Sequence, residues 1–344
     1  MKIKKSFFAR DLISTEQRRA IPILTAPGAH LIGLAPGQVY NSGEQQFACL
    51  EALAARYPAD ALVTFMDLSV EAEAFGCEIV FSDNEIPTVS HPIASDSAAI
   101  ESLVVPTVGA ARIPETLTCA RLSAAGINRP VFGGIIGPFS LAGRLADMTE
   151  MMIMAASEPE LAHALLEKAT VFLVAYAQAI KETGVAGIVI AEPAAGLLSP
   201  DMFAEFATPY LRQMILPLKD ASFMTVLHNC GNCRNQVGHM LAASPDALHV
   251  GNAVDILDIL PQVPANISVM GNLDPVGILK TATAETVYAQ TATLLERTST
   301  FPNYILSTGC DVPADVPAAN LDAFFNACRD YNKTFQTKSE YRSY

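Results

Sequence analysis

Eight short apolar runs, separated by longer stretches with helical periodicity, constrain this chain more than anything else in its sequence. They fall at 21–25, 61–66, 131–136, 187–191, 224–228, 247–250, 267–270 and 304–307. None contains a carboxylate, Lys or Arg, as expected for parallel strands covered on both faces. Pro22 lies at the start of its run, where a missing N–H is tolerable. A further run at 77–81, with the stretch 84–129 after it, breaks the repeat and reads as an insertion over about 77–130. The intervening helices have legible ends. Ser157-Glu158-Pro159-Glu160 reads as a capping box, followed by an apolar stripe of Leu161, Leu165, Phe172, Tyr176 and Ile180. Ser199-Pro200 opens another helix, with Pro in the first turn and Phe203, Phe206, Tyr210 and Met214 on its buried face. Strand–helix alternation repeated eight times predicts an α/β fold of the (β/α)8 TIM-barrel type. We expect one domain over 1–344 with a helical lead-in at about 1–20. An open doubly wound sheet is the runner-up.

Charge narrows the partners. With 35 acidic against 22 basic side chains the formal net charge is −13, a surface that repels phosphate backbones, so we expect no nucleic-acid partner. No run reaches the roughly 20 apolar residues a membrane span needs: the best, 184–198, is shorter and holds Glu192 and Pro193. Arg10 and Asp11 interrupt the apolar stretch of any N-terminal signal. No membrane association and a cytoplasmic location are expected. Seven cysteines, an odd count scattered over a long chain, argue against a disulfide framework and favour thiolates for metal or catalysis.

In such a barrel the chemistry sits where the strands end, and polar residues gather there. Asp67 follows the second run, Gly137-Pro138 the third and Glu192-Pro193 the fourth. His228-Asn229-Cys230 ends the fifth, Gly251-Asn252 the sixth, Gly271-Asn272 the seventh and Gly309-Cys310-Asp311 the eighth. His228 and Cys230 are two apart, so period two puts both side chains on one face of a strand. Only the fold could bring Cys310 to them. An imidazole and two thiolates suit zinc, and three protein ligands leave the open position of a catalytic site. Cys230 and Cys233 also form a Cys-x-x-Cys pair, and free cysteines are commonly buried as small hydrophobes. On the residues alone both readings stand.

From about residue 20 to residue 332 the chain resembles the uroporphyrinogen decarboxylase superfamily. It is more closely similar to the branch of methylcobalamin:coenzyme M methyltransferases and related corrinoid-dependent enzymes. The resemblance is carried by Met66-Asp67-Leu68-Ser69-Val70-Glu71-Ala72-Glu73-Ala74-Phe75-Gly76, Glu192-Pro193, Ser199-Pro200, His228-Asn229-Cys230-Gly231-Asn232 and Ser307-Thr308-Gly309-Cys310-Asp311-Val312-Pro313. It implies a TIM barrel with zinc on His228, Cys230 and Cys310. It also implies methylcobalamin on a separate corrinoid protein as methyl donor, and a small thiol as acceptor. The decarboxylase branch carries paired arginines in a Gly-rich segment after its first strand. The corresponding Thr25-Ala26-Pro27-Gly28-Ala29-His30 has none.

The remaining positions follow from that frame. Glu192 is a candidate catalytic group, either a fourth zinc ligand displaced by the thiol or a proton acceptor; the alternative is a paired structural carboxylate. Asp67 corresponds to the carboxylate that decarboxylases direct at their pyrroles, or else caps the next helix. Asn252, Asn272 and Gly137 are candidate substrate-binding positions, although Gly-Asn is also ordinary turn chemistry. Glu71 and Glu73 read as helix-start charges. His91, His163, His239 and His249 read as structural or exposed.

Overall fold

The computed structural model describes residues 17–83 and 86–342. Nine strands are present among them: β1 Leu62–Val63, β2 Ile79–Val80, β3 Thr88–Val89, β4 Val131–Ile136, β5 Gly187–Ala191, β6 Met224–Asn229, β7 Ala247–Val250, β8 Ser268–Leu273 and β9 Tyr304–Thr308. Seven form one sheet in the order β1-β4-β5-β6-β7-β8-β9, and every pair in it is parallel. The fold is therefore α/β, a curled parallel sheet with crossover helices.

The first apolar run is not a regular strand. Ala20 makes a single parallel bridge to Leu306 of β9, and Ile21 N–H donates to the Leu306 carbonyl at 2.9 Å. The ladder then stops, because Pro22 has no N–H to give and Ile23 N–H turns to the Thr308 hydroxyl oxygen at 3.1 Å. On its other side the Ala20 carbonyl accepts from Asp60 N–H at 2.9 Å, just ahead of β1. The run thus bonds to β9, and Ala20 before it to Asp60 ahead of β1, without completing a strand or closing the sheet.

Alternation along the strands divides the apolar residues between two cores. Val63, Phe132, Val189, Met224, Val226, Ala247, Met270 and Ile305 pack with Ile21 and Ile23 in one buried cluster on the concave side. The larger cluster lies between the sheet and its helices. The helix Pro159–Glu182 turns Leu165, Phe172, Tyr176 and Ile180 into it, all buried, each such burial contributing roughly 1.5–3 kcal/mol. Leu161 at the start of the stripe is only half-buried.

The Ser157 capping box does not form. The preceding helix, Met148–Ser157, runs through that residue, so the Ser157 hydroxyl donates back to the Ile153 carbonyl at 2.6 Å, and Pro159–Glu182 has no side-chain cap. Ser199 does cap, accepting from Met202 N–H. That helix breaks at Ala207 into Pro200–Phe206 and Thr208–Ile215, yet Phe203, Phe206, Tyr210 and Met214 are all buried. The irregular stretch after β1 holds the antiparallel hairpin β2–β3 and the helices Ser97–Ser102 and Ile113–Gly126. Of the expected lead-in, residues 1–16 lie outside the described residues. Among the described residues no helix is long and apolar enough to cross a membrane.

Candidate metal centre

The concave row of β6, Met224 and Val226, continues through His228 to Cys230 at two-residue spacing. Cys310 arrives from the loop after β9. Gly309 allows that approach: a Cβ there would lie 2.7 Å from both the Asn252 amide nitrogen and its Oδ1. Ligand atoms of His228, Cys230 and Cys310 all lie within 4.8 Å of one another, with Cys310 Sγ 4.0 Å from His228 Nε2. His228 is buried and both cysteines are half-buried. Among the described residues this is the one such group of three or more His, Cys, Asp or Glu side chains. Cys233, the other thiol of the Cys-x-x-Cys pair, is fully buried, and burial pushes its thiol up to about 11.

Hydrogen bonding fixes which His228 nitrogen is available. Its Nδ1 faces the His249 carbonyl at 3.3 Å, and a carbonyl only accepts, so Nδ1 carries the proton. The same N–H faces His249 Nδ1 at 2.8 Å. Across the ring, His249 Nε2 meets the Ser307 hydroxyl at 2.9 Å, and Ser307 already donates to the Ile21 carbonyl at 2.7 Å. His249 Nε2 must therefore donate and its Nδ1 accept. The chain Ile21–Ser307–His249–His228 leaves the His228 Nε2 lone pair directed toward Cys310. Burial, then the neighbouring His228, holds His249 well below the ordinary imidazole range and so neutral.

The two half-buried thiols are coupled. Cys310 donates toward Cys230, which lowers Cys230 and raises Cys310. Two half-buried thiols beside an imidazole lone pair are a donor set that fits zinc with three protein ligands.

Glu192 is buried at the end of β5 but stands outside this group. Its Oε1 accepts from Ser140 N–H at 2.6 Å and from the Ser140 hydroxyl at 2.5 Å, and its Oε2 from Phe139 N–H at 3.0 Å. Gly137 makes room for it: a Cβ there would lie 2.3 Å from Oε2. Burial raises the carboxyl to about 7 against these three donors. Asp67 is buried in an ion pair with Arg112 and accepts from Ser69 N–H and hydroxyl. Asn272 donates to the carbonyls of Gly251 and Val254 at 3.0 and 2.7 Å, holding the loop after β7, while Asn252 is exposed.

Two groups escaped the sequence reading. His249, read as structural or exposed, is buried, and its contact with His228 was missed; its place two residues beyond Ala247 on the concave row was the signal. Glu71 is 2% exposed, with Oε1 accepting from Ile136 N–H and Oε2 without a partner. Burial, opposed by that amide, raises it to about 7.

Residues 18–331 match the family model described as uroporphyrinogen decarboxylase (URO-D). The chain is 31% identical over 270 residues to the methylcobamide:CoM methyltransferase MtbA of Methanosarcina acetivorans, covering 77% of this chain and 78% of that one. It is 26% identical over 293 residues to the uroporphyrinogen decarboxylase of Legionella pneumophila, 81% of each chain. A methyltransferase structure from Methanosarcina mazei superposes with a TM-score of 0.83 at 23% identity, over 94% of this chain and 99% of that one, which shows a shared fold.

Proposed function

The chain belongs to the uroporphyrinogen decarboxylase family, and on that footing we propose that it moves a methyl group from a methylated corrinoid to a small thiol. The corrinoid is presented by a separate corrinoid protein. Zinc is held by His228, Cys230 and Cys310. The observation that carries this reading is the convergence of those three ligand atoms within 4.8 Å, with the His228 lone pair already turned inward. The likeness to a methylcobamide:CoM methyltransferase supports the same reaction class.

Zinc, when bound, would lower the pKa of the acceptor thiol so that its proton leaves to a base or water while the sulfur stays nucleophilic. The protein's own residues prepare that event. Cys230 and Cys310 would bind as thiolates, giving up their protons on loading. The His249–Ser307 chain keeps His228 in one tautomer. Glu192, raised by burial into the neutral range, serves as a nearby proton acceptor, and its bonds to Phe139 and Ser140 orient it away from a ligand role. Asp67 is held in a buried ion pair with Arg112, a positioning contact in this reading. In this reading the run at 21–25 takes the place of the eighth member of a (β/α)8 barrel: it bonds to the β9 side, and Ala20 just before it bonds to Asp60 just ahead of β1.

Decarboxylases are also among the relatives. Against that activity, the stretch 25–30 has no arginine for the carboxylates of a tetrapyrrole. The test offers zinc-loaded protein methylcobalamin with a panel of small thiols and, separately, uroporphyrinogen. Thioether formation and no decarboxylation are expected; decarboxylation without methyl transfer overturns the reading.

A further inference from the structure

Asn229 stands between two proposed metal ligands and faces away from them. His228 and Cys230 share the concave row of β6, so Asn229, one residue off that row, turns its side chain toward the helix layer. It is 1% exposed, and a carboxamide buried there costs stability unless its polar atoms are paired. Oδ1 accepts from Gly231 N–H at 2.9 Å, and Nδ2 donates to the Glu192 carbonyl at 2.7 Å. Glu192 N–H donates in turn to the His228 carbonyl at 2.8 Å, and the Asn229 carbonyl accepts from Gly251 N–H at 3.0 Å. A turn needs only the first of these bonds, since Asn commonly accepts from the amide two residues on. The bond to Glu192 anchors that turn to the neighbouring strand.

Cys230 needs such an anchor. β6 ends at Asn229, so Cys230 lies just beyond the ladder that holds His228. The surrounding loops are shaped to the arrangement. A Cβ at Gly196, in the turn after β5, would lie 2.6 Å from Asn229 Oδ1, and one at Gly231 would lie 3.2 Å from the same atom. A Cβ at Gly251, after β7, would lie 2.5 Å from Cys230 Cα. Three glycines thus leave room for one carboxamide and for the Cys230 backbone.

We infer that Asn229 is a positioning residue: its carboxamide fixes the backbone at Cys230 and so sets the Cys230 thiol against His228 and Cys310 before any metal binds. The inference deepens the proposed zinc site and rests on it for the metal, while the placement of the thiol stands on the bonds alone. Asn229 touches neither metal nor acceptor and acts through Cys230.

The first arm of the test uses metal. The full chain, freed of metal, is titrated with Co2+, whose visible and near-ultraviolet bands report coordination geometry and thiolate ligation, and zinc affinity is then read by competition. Asn229→Leu keeps a branched side chain and removes both bonds. It should weaken zinc by about tenfold or more, as for other groups that orient a ligand, and alter the cobalt bands. Asn229→Ser keeps a neutral hydroxyl able to accept from Gly231 N–H but too short for Glu192, and should fall between Asn229→Leu and the wild type. Asn303→Leu controls for general loosening. Asn303 is just as buried, at 2% exposed, and its amide holds the Ile267 carbonyl at 2.8 Å, ahead of β8 and β9 at the opposite end of the sheet. That variant should keep the wild-type bands and affinity even where its melting temperature falls. Wild-type bands and affinity in Asn229→Leu, or an equal loss in Asn303→Leu, overturns the inference. Were Asn229→Leu not to fold, Asn229→Ser decides by the same criterion.

The second arm needs no metal. Iodoacetamide labelling of metal-free protein, resolved by peptide mass spectrometry, should show Cys230 reacting several-fold faster relative to Cys310 in Asn229→Leu than in the wild type, because the turn opens locally. An unchanged ratio overturns the positioning role. A changed ratio in protein that binds neither cobalt nor zinc upholds that role and removes the zinc reading instead.

Discussion

His249 Nδ1 lies 2.8 Å from His228 Nδ1, and this contact, continued through Ser307, leaves Nε2 as the His228 nitrogen that would meet a metal. His249→Phe removes the side-chain acceptor but leaves the backbone carbonyl at 3.3 Å. Zinc affinity, measured by chelator competition, should fall by roughly tenfold, the lower end of the range for groups that orient a ligand. Nitrogen-15 shifts of His228 in metal-free protein should show Nδ1–H in the wild type and a tautomer mixture in the variant. Unchanged affinity and tautomer would mean that His249 only fills space.

The three ligands should be separable from their neighbours. His228→Ala, Cys230→Ser and Cys310→Ser should each lose most of the zinc, since two remaining ligands hold it poorly. Cys233→Ser should retain it, because Cys233 is fully buried in the hydrophobic core. Elemental analysis of protein purified without chelators checks both halves. Full occupancy in Cys310→Ser would contradict the ligand set.

Glu71 links the mouth of the sheet to stability. Its carboxyl is raised from 4.5 to about 7, so between those values the folded protein keeps a proton that the unfolded chain releases. The stabilisation is complete below about pH 4.5 and is lost as the pH rises through 7, by at most about 3 kcal/mol. Denaturant unfolding of wild type and Glu71→Gln at pH 5 and pH 8 should show the wild type losing stability relative to the variant at the higher pH. Parallel profiles would mean that Glu71 is charged throughout.

What could be read in the sequence was whatever depends on local period. The runs for β4 and β5 coincide with their strands, and the two-residue spacing of His228 and Cys230 put them on one face. What depends on partners was less legible. The run at 21–25 is as apolar as a strand, but Pro22 and the competing Thr308 hydroxyl stop its ladder. Ser157 has the spacing of a cap, yet an upstream helix claims its hydroxyl. Glu71 looks like an ordinary first-turn charge until Ile136, 65 positions on, supplies its buried donor. His249 could be placed inside by period, but its contact with His228 required the pairing of β6 with β7.

The central claim is that zinc on His228, Cys230 and Cys310 receives the acceptor sulfur directly. X-ray absorption at the zinc edge measures this, because zinc–sulfur distances near ~2.3 Å stand apart from zinc–oxygen and zinc–nitrogen distances near ~2.0–2.2 Å. Adding a thiol that the protein methylates should raise the sulfur count at the metal from two to three and release a proton. A count that stays at two, with no proton released while the thiol is still methylated, would contradict the account and leave the metal a structural role.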